Sequence, residues 1–135
     1  LAVVDLVASD HAPHTLEEKQ GPQPPPGVPG VETMLPLLLD AVAAGRLELQ
    51  RVVDLLHDGP RRVYGLLPGT ATVEVELGSS WSIQGVELHS KCGWTPYEGR
   101  TVRGRVRRVE LRGRTVYEDG WVLAEPGYGR PVTWV

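Results

Sequence analysis

The sequence predicts an α/β fold in which one buried strand feeds a set of helices and an antiparallel β half follows. Three observations carry that reading. Residues 1–9 are apolar with a single acid, Asp5, and form too short a run for a helix of ordinary length. Residues 31–44 place Met34, Leu35, Leu38, Leu39 and Val42 at helical spacing. After Pro68 the period becomes two, with Val73 and Val75 alternating with Glu74 and Glu76.

The first strand ends in Ser9-Asp10-His11-Ala12-Pro13-His14, and Thr15-Leu16-Glu17-Glu18 then has the spacing of a capping box. The stretch Gly21 to Gly30, with Pro24-Pro25-Pro26-Gly27 inside it, suits a stiff, extended loop. The helix over 31–44 accepts Pro36 only if that residue lies in the first turn, and Gly45 ends it. A second helix is expected over Leu49 to Leu56, and Pro60 restarts a short third one that Gly65 closes. In the β half, Trp81 and Ile83 flank Ser82. Arg112-Gly113 and Asp119-Gly120 mark turns between strands near 106–111, 115–117 and 121–123. The pair Arg107-Arg108 breaks the alternation, which predicts a bulge or a strand end there. The division between the two halves falls at 66/67, giving units of 1–66 and 67–135.

With 135 residues the chain has room for one ordinary domain. Its 41% hydrophobic and 23% charged residues are those of a globular protein, and no apolar run approaches the ~20 residues that cross a bilayer. The net charge of -3 provides no global field for nucleic acid. Cys92, the single cysteine, excludes an internal disulfide and a cysteine-cluster metal site, and it suits a reducing compartment, so a cytoplasmic location is expected. No basic leader precedes the apolar start, which reads as a chain cut at the front. A parallel strand needs neighbours on both sides, and these are expected upstream. There is no internal repeat, phosphate-binding glycine fingerprint or GxSxG nucleophile elbow.

Asp10-His11-Ala12-Pro13-His14 is the candidate stretch for chemistry, because side chains at the carboxyl end of a buried parallel strand face the ligand in α/β folds. A carboxylate there can ligate a cation and carry a proton, or simply cap a turn. Gly27 would let a small ligand approach the backbone closely. Cys92 has no general base beside it and sits among Trp94, Pro96 and Tyr97, so it reads as structural, and His57 and His89 lie in no ligand-spaced cluster.

Ser9-Asp10-His11-Ala12-Pro13-His14-Thr15, Pro25-Pro26-Gly27, Gly30 to Leu39 and the later Ser90-Lys91-Cys92-Gly93-Trp94-Thr95-Pro96-Tyr97-Glu98-Gly99 together resemble the C-terminal portion of dihydroorotase, of the amidohydrolase superfamily. The likeness covers nearly the whole chain, in order, and is similar in particular to the dihydroorotase domain of the animal multifunctional pyrimidine-synthesis protein. It implies the last strand and helices of a (β/α)8 TIM barrel followed by strands of a small accessory β domain. It also implies a zinc enzyme, binuclear in the family, that interconverts N-carbamoyl-L-aspartate and L-dihydroorotate in pyrimidine biosynthesis.

In that family the residue matching Asp10 ligates zinc and shuttles a proton, the histidine matching His14 binds the substrate carboxylate, and the backbone at Pro26 and Gly27 contacts the ring. His11 is not a ligand in the family. Residues 67–80 lack the Gly-Asp-Ala-Asp-Leu stretch of many amidohydrolases. The family's His-x-His pair, carboxylated lysine and two further histidines belong to earlier strands, so they fall outside this chain. As an isolated polypeptide it is therefore expected to be inactive and poorly stable.

The resemblance implies a homo-oligomer, with aspartate transcarbamoylase and carbamoyl-phosphate synthetase as partners, and neither nucleic acid nor membrane as one. Two other readings compete. Arg103, Arg105, Arg107, Arg108, Arg112 and Arg114 could neutralise phosphates, although no aromatic residues interleave with them and a solvated sheet face accounts for the stripe. A non-catalytic relative that supports aspartate transcarbamoylase as a scaffold is the other.

Overall fold

The computed structural model describes residues 3–132. The chain runs from an extended amino-terminal segment through a helical layer into a four-stranded antiparallel sheet whose strands lie in chain order.

Helix α1 (Leu16–Gln20) is a single turn held by the expected capping box: Glu18 N–H donates to Thr15 Oγ1 at 3.2 Å and Thr15 N–H to Glu18 Oε2 at 2.8 Å. Helix α2 (Met34–Ala43) begins after Thr33, which places Pro36 in the first turn, where a missing N–H costs no intrahelical bond. Two expected helices prove to be one helical run. α3 (Leu49–Val53) passes through a π turn (Asp54–Asp58) into α4 (Gly59–Tyr64), which Gly65 closes in a left-handed conformation. Pro60 has no N–H to return to the Leu56 carbonyl, so the helix widens locally, and Gly59 N–H bonds to Asp54 O, five residues back.

Strand β1 (Thr72–Ser82) pairs with β2 (Thr101–Leu111), which pairs with β3 (Arg114–Glu118) and then β4 (Trp121–Val122). The bulge expected at Arg107-Arg108 is present: Glu74 faces Arg108 while the next residue, Val75, faces Val106, so Arg107 is the extra residue. Both turns are tight, and their two central residues all have positive φ, Arg112 at 53° with Gly113 at 75° and Asp119 at 47° with Gly120 at 94°. Such turns match the twist of the strands they join.

The buried core joins the layers: Leu39, Val52 and Leu55 come from the helices, Ile83 and Val102 from the strand side. Helix α2 crosses β2 at Gly104. A Cβ there would lie 2.5 Å from Leu39 Cβ, and the residue holds φ at +98°. Asp40 Oδ1 accepts the Arg103 N–H at 3.2 Å and completes the junction.

One expectation needs correction. Residues 3–9 form no strand and are largely exposed, Val3 at 89% and Val4 at 53%; Leu1 and Ala2 lie outside the described residues. Strand geometry needs a ladder partner, and none of the described residues offers one. The segment instead lies along the helical run, with Val7 N–H donating to Leu55 O at 3.2 Å and the Arg51 guanidinium donating to Val4 O.

Candidate active site

The segment turns at Asp10, whose φ of 45° is left-handed for a residue with a side chain. Aspartate tolerates that region better than most, and Asp10 is exposed to solvent. Asp10 follows a segment that is largely exposed and not the buried strand the sequence predicts.

His11 has a task that sequence reasoning missed. Its Nδ1 accepts the backbone N–H of Gly30 at 3.1 Å and of Val31 at 3.3 Å, while Ala12 N–H donates to Val28 O at 3.1 Å. An imidazole nitrogen that accepts two donors places the ring proton on Nε2. His11 therefore ties the far end of the proline-rich loop to the turn bearing Asp10. Gly27 fits the same junction: with φ at +105°, a Cβ would meet Ala12 Cβ at 2.5 Å. Its freedom serves loop packing against Ala12, and Pro26 beside it is exposed.

His14 is partly exposed, with Nδ1 3.6 Å from Glu18 Oε2. The separation is long for a hydrogen bond but close enough for the carboxylate to attract an imidazolium. A groove beside it is lined by His14, Glu18, Gly21, Pro22, Gln23 and Pro25. Glu18 has its carboxyl pKa lowered, chiefly by the Thr15 N–H, then by the Thr15 hydroxyl, and further by His14. A depressed carboxyl pKa stabilises the folded turn above the unfolded pKa, and that contribution is lost as pH falls through the folded value. Thr15→Ala is expected to raise the Glu18 pKa toward its ordinary value and to loosen α1, which a carboxyl NMR titration of both forms checks.

The second sequence signature meets the first here. Trp94 Nε1–H donates to His14 O at 2.6 Å, and Glu32 accepts the Ser90 N–H at 3.1 Å with His89 Nδ1 at 2.8 Å from its other oxygen. Cys92 is half-buried, its Sγ 3.2 Å from Ser90 Oγ and 3.6 Å from Trp94 O, a packing arrangement with no general base. His57 is exposed and lies beside Asp58. A larger apolar hollow lies between the start of α2 and the sheet; His11 reaches it, but neither Asp10 nor His14 lines it.

The donor set tests how a metal would fit. Asp10 offers one carboxylate, and among the described residues no group of three or more His, Cys, Asp or Glu side chains converges on a point. One ligand does not make a site that takes about four. The described residues alone therefore do not fit a complete metal site.

The arginine stripe is engaged within the sheet. Arg107 meets Asp119 at 2.9 Å and Glu76 at 3.5 Å, and Arg108 meets Glu110 at 3.0 Å. Aromatic rings supplied by other segments lie against arginines of the stripe: Trp81 under Arg105 at 5.3 Å, and Tyr128 under Arg112 and Arg114 at 4.4 and 5.2 Å. No helix among the described residues is long and apolar enough to cross a membrane.

Comparison with known proteins places the fold and the sequence. No family model matches the chain. A D-hydantoinase structure superposes with a TM-score of 0.89 at 27% identity, over 96% of this chain and 32% of that one. The inactive dihydroorotase-like domain of the Chaetomium thermophilum CAD-like multifunctional protein superposes with a TM-score of 0.65 at 30% identity, over 82% and 32%. The fold is thus that of a carboxyl-terminal portion of an amidohydrolase barrel protein with its accessory strands.

In sequence, the multifunctional protein CAD of Squalus acanthias is 51% identical over 133 residues, 98% of this chain and 6% of that protein. The dihydroorotase of Pyrococcus furiosus is 40% identical over 131 residues, 91% of this chain and 31% of that enzyme. Over nearly its whole length the chain is similar to the carboxyl-terminal portion of dihydroorotases. It spans about a third of the archaeal enzyme and a far smaller share of the shark protein. Kinship with dihydroorotases and hydantoinases implies a metal cofactor.

Proposed function

We propose that the chain is the carboxyl-terminal part of a longer zinc-dependent dihydroorotase that interconverts N-carbamoyl-L-aspartate and L-dihydroorotate in pyrimidine biosynthesis. The carrying observation is the joining of its two signature segments: Trp94 bonds to the carbonyl of His14, four residues beyond Asp10. Residues 1–66 supply the end of the barrel and 67–135 the accessory strands, and the remaining metal ligands come from upstream. The single free cysteine suits a cytoplasmic enzyme. Kinship with multifunctional proteins supports aspartate transcarbamoylase and carbamoyl-phosphate synthetase as neighbours, in a homo-oligomeric assembly.

A bound divalent cation polarises the ring amide and lowers the pKa of water. Asp10 is one of its ligands and also the proton carrier. As water adds to the ring carbonyl, the Asp10 carboxylate accepts a proton and delivers it to the departing ring nitrogen, so that hydrolysis is balanced without another acid. His14, drawn toward Glu18 through Nδ1, presents its other nitrogen to the ring carboxylate. The backbone at Pro26 and Gly27 faces the ring.

His14→Ala in the full-length enzyme is expected to raise KM for dihydroorotate by roughly 10- to 100-fold, the value of a charge-assisted hydrogen bond, with a smaller change in kcat. Steady-state ring opening measures both constants. An unchanged KM would remove His14 from carboxylate recognition.

A further inference from the structure

The loop from Gly21 to Gly30 contains five prolines, Pro22, Pro24, Pro25, Pro26 and Pro29, and so has few N–H groups with which to fix its own shape. Its carbonyls need a donor from elsewhere. Lys19 provides one: its Nζ donates to Pro25 O at 2.7 Å and to Gly27 O at 3.0 Å, while the ammonium stands 5.9 Å from the centre of the Trp94 ring. The same indole donates to His14 O, so a single aromatic ring touches both the lysine and the main chain of the candidate carboxylate-binding histidine. The capping box of α1 sets where Lys19 stands.

We infer that Lys19, backed by Trp94, is a positioning residue that clamps the Pro25–Gly27 backbone beside His14 and thereby sets the affinity for the carboxylated ring. The inference rests on the reading given under Proposed function. An ammonium has three donors and no fixed plane, so it can reach two carbonyls that point in different directions, and bonds to a charged donor are stronger than neutral ones. By holding the carbonyls on either side, the clamp leaves the Pro26 carbonyl as the one of the three that Lys19 does not take. Loss of the ammonium frees the loop without removing any group that touches substrate, so the effect falls on binding.

The test uses the full-length enzyme with Lys19→Met, which keeps chain length but removes the charge and the donors, and Lys19→Arg, which keeps the charge. Lys19→Met is expected to raise KM for dihydroorotate about tenfold or more, with kcat within about threefold. Lys19→Arg is expected to stay within about threefold in both constants. Hydrogen exchange provides a readout independent of turnover: in Lys19→Met the amides of Ala12, Gly30 and Val31 should exchange at least about tenfold faster, while those of α2 keep their protection.

An unchanged KM in Lys19→Met would overturn the clamp, as would a Lys19→Arg variant as impaired as Lys19→Met. Loss of α2 protection together with activity would also overturn it, by showing a merely structural role. If the unmutated enzyme does not open dihydroorotate at all, the functional reading fails. Exchange at Ala12, Gly30 and Val31 then decides the clamp separately, and unchanged exchange in Lys19→Met overturns it.

Discussion

Replacing Asp10 with Asn in the full-length enzyme is expected to lower kcat for dihydroorotate ring opening by about a thousandfold or more, with the fold intact. Two losses combine. The amide cannot accept and return a proton, a step worth roughly 10²- to 10⁴-fold by itself, and it is a poorer ligand for a divalent cation than a carboxylate. The choice of asparagine matters because Asp10 holds a left-handed φ of 45°, which asparagine adopts nearly as readily, whereas alanine would add backbone strain. Because the carboxylate is exposed, its removal leaves no buried partner unsatisfied. Initial rates beside a circular-dichroism melt separate the catalytic effect from unfolding. A variant that retains most of its activity would dismiss Asp10 as the proton carrier.

Gly104→Ala is expected to destabilise the enzyme by about 2–4 kcal/mol. The new Cβ would sit 2.5 Å from Leu39 Cβ and 3.0 Å from Leu39 Cδ1, and Leu39 is buried at the point where α2 meets β2. Neither a Cβ on a helix nor a paired strand gives way easily. The residue also holds φ at +98°, which alanine resists. Gly99→Ala is the matching control: it has φ of +71° but nothing within 4 Å, so only the left-handed strain of about 1–2 kcal/mol remains. Denaturant titration of both variants gives the two free energies, and equal losses would mean that the α2–β2 contact is looser than Leu39 and Gly104 make it.

Features that depend on local chemistry could be read from the chain directly. The capping box over Thr15 to Glu18, Pro36 in the first turn of α2, both Gly-containing turns and the bulge at Arg107 are each decided by a few adjacent residues. The joined helix over 49–64 was harder to foresee, because Pro60 normally restarts a helix, and here a π turn absorbs it. The amino-terminal segment failed as a strand for a different reason: its apolar pattern asks for ladder partners that the described residues do not include.

In the candidate site, Asp10 and His14 were visible from their place after the first apolar run. His11 and Lys19 were not, since their contacts run to backbone atoms, which sequence pattern does not display. The role of Trp94 was hidden by distance, because its partner carbonyl lies 80 residues earlier.

The most direct test of the account is ring opening of L-dihydroorotate by the purified full-length protein, before and after removal of bound metal. The account predicts steady turnover that a chelator abolishes and added zinc restores, with no turnover from the 135-residue chain alone, whose described residues bring together no group of three or more His, Cys, Asp or Glu side chains. A folded full-length protein that carries metal yet leaves dihydroorotate intact would contradict it. That result would favour a non-catalytic scaffold, a state with a structural counterpart in the inactive dihydroorotase-like domain of Chaetomium thermophilum.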